Sequence, residues 1–300
     1  MKSILAFAML LLGPLPGYSA ALDVPLQLTS LLLAEPTTAA PATRSRNVDG
    51  IMDNSFLVEE AYNQEVGVVQ HIFTALYGLN LLHGQDEDRF DFSFTQEWPV
   101  FSQAHQFSYT LVGSVVETGG RSDGGFGDML LNYRYQAYFD EHTLTALAPR
   151  FSLILPTGDA DDGFGNDTVG YQWALPFSTA IGDSWFVHAN AGLTFLPDAG
   201  PGLRYDLLHY NLGASAIYAL TREFHLMLEW VGFWRESPDA GGTSYDFESV
   251  ISPGFRKAFN FSNGSQLVLG LALPVGLTGA SADFGAFGYL SFEHNFMKSN

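Results

Sequence analysis

One pattern constrains this chain more than any other. Apolar and polar side chains alternate with a period of two, over segments of ten to fifteen residues, about twelve times. From Asp128 onward, Met129, Leu131, Tyr133, Tyr135, Ala137 and Phe139 share one face, while Asn132, Arg134 and Gln136 share the other. In the stretch that follows Ser184, Trp185, Val187, Ala189, Ala191, Leu193 and Phe195 oppose His188, Asn190 and Thr194. Period two is the mark of a strand with one apolar face. The segments lie near 64–78, 89–98, 105–117, 127–139, 143–155, 169–180, 184–196, 206–219, 223–235, 245–257, 265–277 and 285–296. They exceed the usual strand of about five or six residues and suit the roughly 9–11 that a tilted strand needs to cross a bilayer. Beyond Asn63 no window of 18 apolar residues occurs that would make a spanning helix.

The links between segments decide the architecture. FDEH, AIGD, LTRE and FNFSNG are short, and WPVFSQA is slightly longer. NLLHGQDED, ETGGRSDGGFG, PTGDADDGFGNDT, LPDAGPGLRYD, RESPDAGGTSY and LTGASADFG are longer, acidic and Gly-rich. Short and long links alternate. An outer-membrane barrel has tight periplasmic turns and longer external loops; a soluble sandwich or lipocalin-like barrel gives no reason for the alternation. The expected fold is all-β, a transmembrane antiparallel up-and-down barrel of bacterial outer-membrane type with about 12 strands (range 10–14). An even count places both ends in the periplasm. The final strand ends on Leu290, Phe292 and Phe296, followed by MKSN.

Composition agrees. Hydrophobic residues make up 47%, and charged residues only 15%, against about 25% in soluble domains. Net charge is −19 with no Cys. Nucleic acid is thereby disfavoured as a partner, and disulfides and Cys-ligated metals are excluded. Residues 1–21, with Lys2 ahead of ILAFAMLLL and small residues at Ser19 to Ala21, read as a signal peptide. Residues 22–58 read as a flexible periplasmic segment, and 59–300 as the barrel.

Five blocks carry a family resemblance. SFLVEEAYNQEVGVVQHI from Ser55, FTQEWPVFSQAHQFSYT from Phe94, GGFGDMLLNYRYQ from Gly124, APRFSLILPTGD from Ala148 and GYQWALPFS from Gly170 resemble the outer-membrane "MetA-pathway of phenol degradation" family. The resemblance implies a transmembrane barrel with a transport role, distantly like the long-chain fatty-acid channel. It implies no residue-level mechanism.

In a barrel the polar faces line the lumen. The expected lining includes Gln106, Asn132, Arg134, Gln136, Arg150, Gln172, His188, Asn190, His209, Asn211, His225, Glu229, Glu248, Arg256, Glu293 and Asn295. Enclosed charges need partners, and Arg134, Arg150 and Arg256 have candidates in Glu229, Glu248 and Glu293. Two readings stay open: a polar permeation path, or a salt-bridged filling of a narrow barrel. Residues 52–65, with Phe56, Leu57 and Val58 ahead of Glu59, Glu60 and Glu65, enter the lumen as a plug or merely lead into the first strand. Asp159, Asp161, Asp162, Asn166 and Asp167 form either a solvated acidic loop or a calcium loop, one position off the D-x-D-x-D-G spacing. Trp98, Phe101, Tyr138, Phe139, Trp185, Trp230, Trp234 and Tyr289 are expected in interfacial girdles.

No H-E-x-x-H or G-x-S-x-G spacing occurs. No enzyme, cofactor or resident metal is expected. The expected function is passive or facilitated uptake of small aromatic or hydrophobic molecules. A closed structural or adhesive barrel, or less so a lipid-active barrel enzyme, is the alternative. Outer-membrane lipid, lipopolysaccharide, the barrel-assembly machinery and a small-molecule solute are the expected partners. Acidic external loops would repel anions, which favours neutral or cationic solutes.

Overall fold

The computed structural model describes residues 51, 55–80, 87–239 and 242–296. The signal segment, the 22–50 stretch and the MKSN tail lie outside the described residues. Sixteen strand segments make twelve antiparallel spans. The first three are β1 (Val68–Leu79), β2 (Glu87–Val100) and β3 (Ser102–Thr118). The fourth is β4 (Arg121–Phe126), β5 (Met129–Tyr135) and β6 (Tyr138–Asp140), and the fifth is β7 (Thr145–Leu147) with β8 (Arg150–Leu155). Then come β9 (Gly170–Ile181), β10 (Trp185–Ala199), β11 (Tyr205–Thr221), β12 (Phe224–Asp239) and β13 (Gly242–Asn260). β14 (Gln266–Ala272) with β15 (Val275–Gly276) forms the eleventh, and β16 (Phe284–Asn295) the twelfth. Each span pairs with its sequence neighbours. β1 also pairs with β16 from Val68↔Asn295 to Leu79↔Phe284, which closes the ring. Closure removes the sheet edges that an open sheet would present to lipid.

The pleat sends alternate side chains to opposite walls. The outer wall is apolar and bare: Phe73, Trp173, Leu228 and Leu271 are all exposed, Leu271 by 57%. So large an exposed apolar band marks a lipid-facing surface. Aromatic pairs sit towards both ends of the outer wall. Trp98 packs on Phe107 at 5.2 Å and Trp185 on Tyr218 at 4.9 Å at one end, while Trp234 packs on Phe247 at 4.6 Å at the other. Two expected girdle residues belong elsewhere. Tyr289 is 4% exposed and faces inward, and Phe139 packs on Tyr62 at 6.3 Å.

Two of the expected long loops are instead hairpins. β3 and β4 pair from Gly113↔Phe126 to Thr118↔Arg121 around Gly119 and Gly120, whose φ values are +59° and +79°. Two successive left-handed residues make the tight turn that suits strand twist, so the ladder simply continues through an acidic, Gly-rich sequence. β12 and β13 likewise pair out to Asp239↔Gly242. Loop 156–169 is a true loop. It folds over the break between β4 and β5, where Asp128 accepts from Gly158 N at 3.0 Å, Asn166 N at 2.9 Å and Asn166 Nδ2 at 2.8 Å.

Candidate functional site

The inner wall carries a row of polar side chains in register. Ser178 lies opposite His188, His188 opposite Ser215, Ser215 opposite Glu229, and Glu229 opposite Ser252. All five are at most 2% exposed. What buries them is the chain's own residues 55–65. Ser55 Oγ lies 2.9 Å from Ser215 Oγ. The amides of Leu57 and Val58 both donate to Glu229 Oε1, at 3.0 and 3.1 Å. The Ala61 amide donates to Ser178 Oγ at 2.8 Å. Glu60 lies 3.6 Å from His188 Nε2 and 3.7 Å from Arg256 Nη1.

Further along, Arg134 gathers the segment. Its guanidinium donates to Asn63 Oδ1 at 2.8 Å, Tyr62 O at 2.8 Å, Glu60 O at 3.0 Å and Glu59 Oε1 at 3.2 Å. Arg150 Nε reaches Glu59 at 2.9 Å, and Gln136 Nε2 donates to Ala61 O at 2.9 Å. The Gln64 amide donates to Gln106 Oε1 at 2.7 Å. A turn, Val68 N to Glu65 O with Gly67 at φ +86°, then delivers the chain into β1. Within ten residues the polar contacts of the segment reach β3, β5, β8, β9, β10, β11, β12 and β13. Only a path inside a closed sheet permits that.

A second, apolar patch of the inner wall receives Phe56. Its ring packs on Phe287 at 5.4 Å and on Tyr289 at 5.1 Å, in a cluster with Ile51, Ile72, Ile217, Met227, Val268 and Ala272. Gly270 makes the room: a Cβ built there would overlap the Phe56 ring edge, and one on Gly254 would come within 3.2 Å.

Above the segment a hydrogen-bonded polar ladder crosses β3 to β10. Asn132 Nδ2 donates to Ser108 Oγ at 3.1 Å, Ser152 Oγ to Asn132 Oδ1 at 2.6 Å, Arg150 Nη1 to Gln172 Oε1 at 3.0 Å, and Gln172 Nε2 to Thr194 Oγ1 at 3.0 Å. Near the loop end, Arg235 pairs with Glu248 at 2.8 Å and covers the Phe233 ring at 4.9 Å.

The structure thus places Asn132, Arg134, His188, Glu229, Arg256 and Glu293 in the buried interior, each at most 6% exposed. Gln136, Arg150, Gln172, Asn190, Asn211 and Glu248 are partly buried. Two carboxylates outside the expected pairing, Glu59 and Glu60 of the segment, lie beside Arg134, Arg150 and Arg256, while Glu229 accepts backbone amides and Glu248 holds Arg235. Strand pleating fixes which face a residue uses but not which chain meets it there. In loop 156–169, Asp159 caps the amide of Asp161 at 3.1 Å and Asp167 pairs with Arg204. Among the described residues no three metal-binding side chains converge.

Residues 62–292 match the family described as "Putative MetA-pathway of phenol degradation". The chain belongs to that family. No curated protein matches it by sequence. Among solved structures it is similar to an outer membrane channel from Pseudomonas putida F1, with a TM-score of 0.59 and 12% identity over 78% of this chain and 97% of that one. The translocator domain of the autotransporter NalP from Neisseria meningitidis gives 0.48 at 12% identity, over 78% of this chain and 90% of that one. This family member therefore shares the outer-membrane barrel fold with the first of these, and its place is the bacterial outer membrane.

Proposed function

We propose that the protein is an outer-membrane channel for small solutes, and that residues 55–65 occlude its lumen at rest. The observation that carries the reading is the segment's hydrogen bonds and ion pairs to eight strands around the inner wall. The polar ladder above it continues towards the loop end as a path lined by amides and hydroxyls. The structural relative from Pseudomonas putida F1 is described as a channel. The inner wall pairs a polar arc with an apolar, aromatic patch, which suits small solutes of aromatic or apolar body. Exposed Glu117, Asp123, Asp159, Asp161, Asp162 and Asp198 crowd the loop end; their field repels anions, so neutral or cationic solutes pass preferentially. Lipid and lipopolysaccharide surround the outer wall, and the barrel-assembly machinery inserts it.

Deleting residues 22–58 while keeping the signal segment tests the plug. Conductance in planar bilayers is expected to rise several-fold, with cation-selective reversal potentials in a salt gradient. Unchanged conductance would sink the plug. The complete burial of Ser178, Glu229 and Ser252 favours one second reading, a closed structural barrel. Silence of both the full chain and the deletion variant would support that reading over a channel.

A further inference from the structure

The seat of Phe56 has the properties of a ligand site. On the inner face of β14, Gly270 stands between Val268 and Ala272, so the wall lacks a side chain where the phenyl ring lies. Gly254 of the neighbouring strand thins the wall in the same place. Phe287 and Tyr289 are tilted by 31° and 32° to the ring, with centroids 5.4 and 5.1 Å away, inside the range of about 4.5–7 Å over which aromatic pairs attract. Ile217 and Met227, both at most 4% exposed, complete the enclosure. The cluster itself is apolar, and the charged neighbour on β13, Arg256, which pairs with Gly270 across the ladder, has its guanidinium 3.7 Å from Glu60. The slot holds one six-membered ring, and its occupant hangs on a segment joined to the wall through side-chain hydrogen bonds and ion pairs.

We propose that this slot is a binding site for monocyclic, uncharged aromatic solutes, with Phe56 as its resident occupant. A solute ring and the Phe56 ring compete for one place. Solute binding therefore unseats residues 55–58, whose neighbouring amides rest on Glu229. This deepens the proposed channel reading, since it makes the solute the agent that loosens the segment. Apparent affinity in the intact protein is lowered by the fraction of molecules in which Phe56 is seated.

The chain has no Cys, so a single Val58→Cys reports on the seat; Val58 is 2% exposed. Toluene is the probe. Maleimide labelling of Val58→Cys is expected to be slow, and at least fivefold faster at saturating toluene. Adding Gly270→Val, which fills the slot, should give fast labelling that toluene no longer changes. By titration, Phe56→Ala should bind toluene at least tenfold more tightly than the parent, and Gly270→Val should lose the binding. Gly270→Ala, with a single added carbon, serves if the valine variant shows no folded, heat-modifiable gel band. A labelling rate indifferent to toluene, or toluene binding that survives both glycine substitutions, overturns the proposal. Rapid labelling before any toluene is added would instead count against the occluded channel. The slot is then judged by the Phe56→Ala and Gly270→Val titrations alone.

Discussion

The polar arc and the apolar patch of the inner wall hold the same short segment in opposite ways. On the arc, Arg134 gives directed hydrogen bonds to four acceptors of residues 59–63, and Ser178, Glu229 and Gln106 accept amides. On the patch, Phe56 is held by shape: a glycine gap and two tilted rings. Directed contacts fix register, and losing one partner strands the other in a buried site. Shape contacts are non-directional, and another body of similar form can replace them. The arc therefore sets where the segment lies, while the patch sets whether it stays.

Breaking the arc at Arg134 should have the largest effect. Arg134→Ala takes this donor from Asn63 Oδ1 and from the carbonyls of Glu60 and Tyr62, and leaves Glu59 with Arg150 alone; removing one partner of a buried pair costs about 3–5 kcal/mol. The unfolding midpoint in detergent, followed by tryptophan fluorescence, should fall accordingly. A midpoint within error of the parent would show that the arc carries little of the load. The outer wall offers the control, because it answers to lipid rather than to the segment. Leu271→Arg places a cation on that wall and should cost about 2–4 kcal/mol if it sits near the bilayer midplane, read as poor insertion into vesicles. Its conductance, in whatever fraction folds, should match the parent's.

Glu229 separates charge from hydrogen bonding within the arc. Glu229→Leu strands the amides of Leu57 and Val58, at about 1–3 kcal/mol for each unsatisfied group. Glu229→Gln keeps an acceptor oxygen and should cost markedly less. Equal losses would mean that the charge, not the acceptor, matters. The smallest effect is expected at Asp128, whose carboxylate organises loop 156–169 well away from the segment. Asp128→Ala should speed proteolysis within that loop while leaving conductance and the unfolding midpoint near the parent values.

Much of the barrel can be read along the chain. Each strand repeats one local rule, so Leu269 and Leu271 face out and Arg134 and Asn132 face in, as the pleat dictates. The tips are less legible. ETGGRSDGGFG has loop composition, yet pairing of Glu117 with Ser122 and Val116 with Asp123 carries the ladder through it. The arginine partners are least legible of all. Glu59 and Arg134 lie 75 residues apart, and no periodicity links a pre-strand carboxylate to a guanidinium on the fourth span. Gly270 reads as one small residue on a mixed face until the Phe56 ring is placed against it.

The way residues 55–65 are fastened has a mechanical consequence. Their amides at Leu57, Val58, Ala61 and Gln64 donate to side chains, whereas the wall is joined rung by rung through backbone ladders from β1 round to β16. The two fastenings share no donor or acceptor at these positions. In the proposed channel, release of the segment would break none of the ladder's rungs. The cylinder, in turn, can stand complete while empty. Moving part and housing would then be separable, although they are one continuous chain.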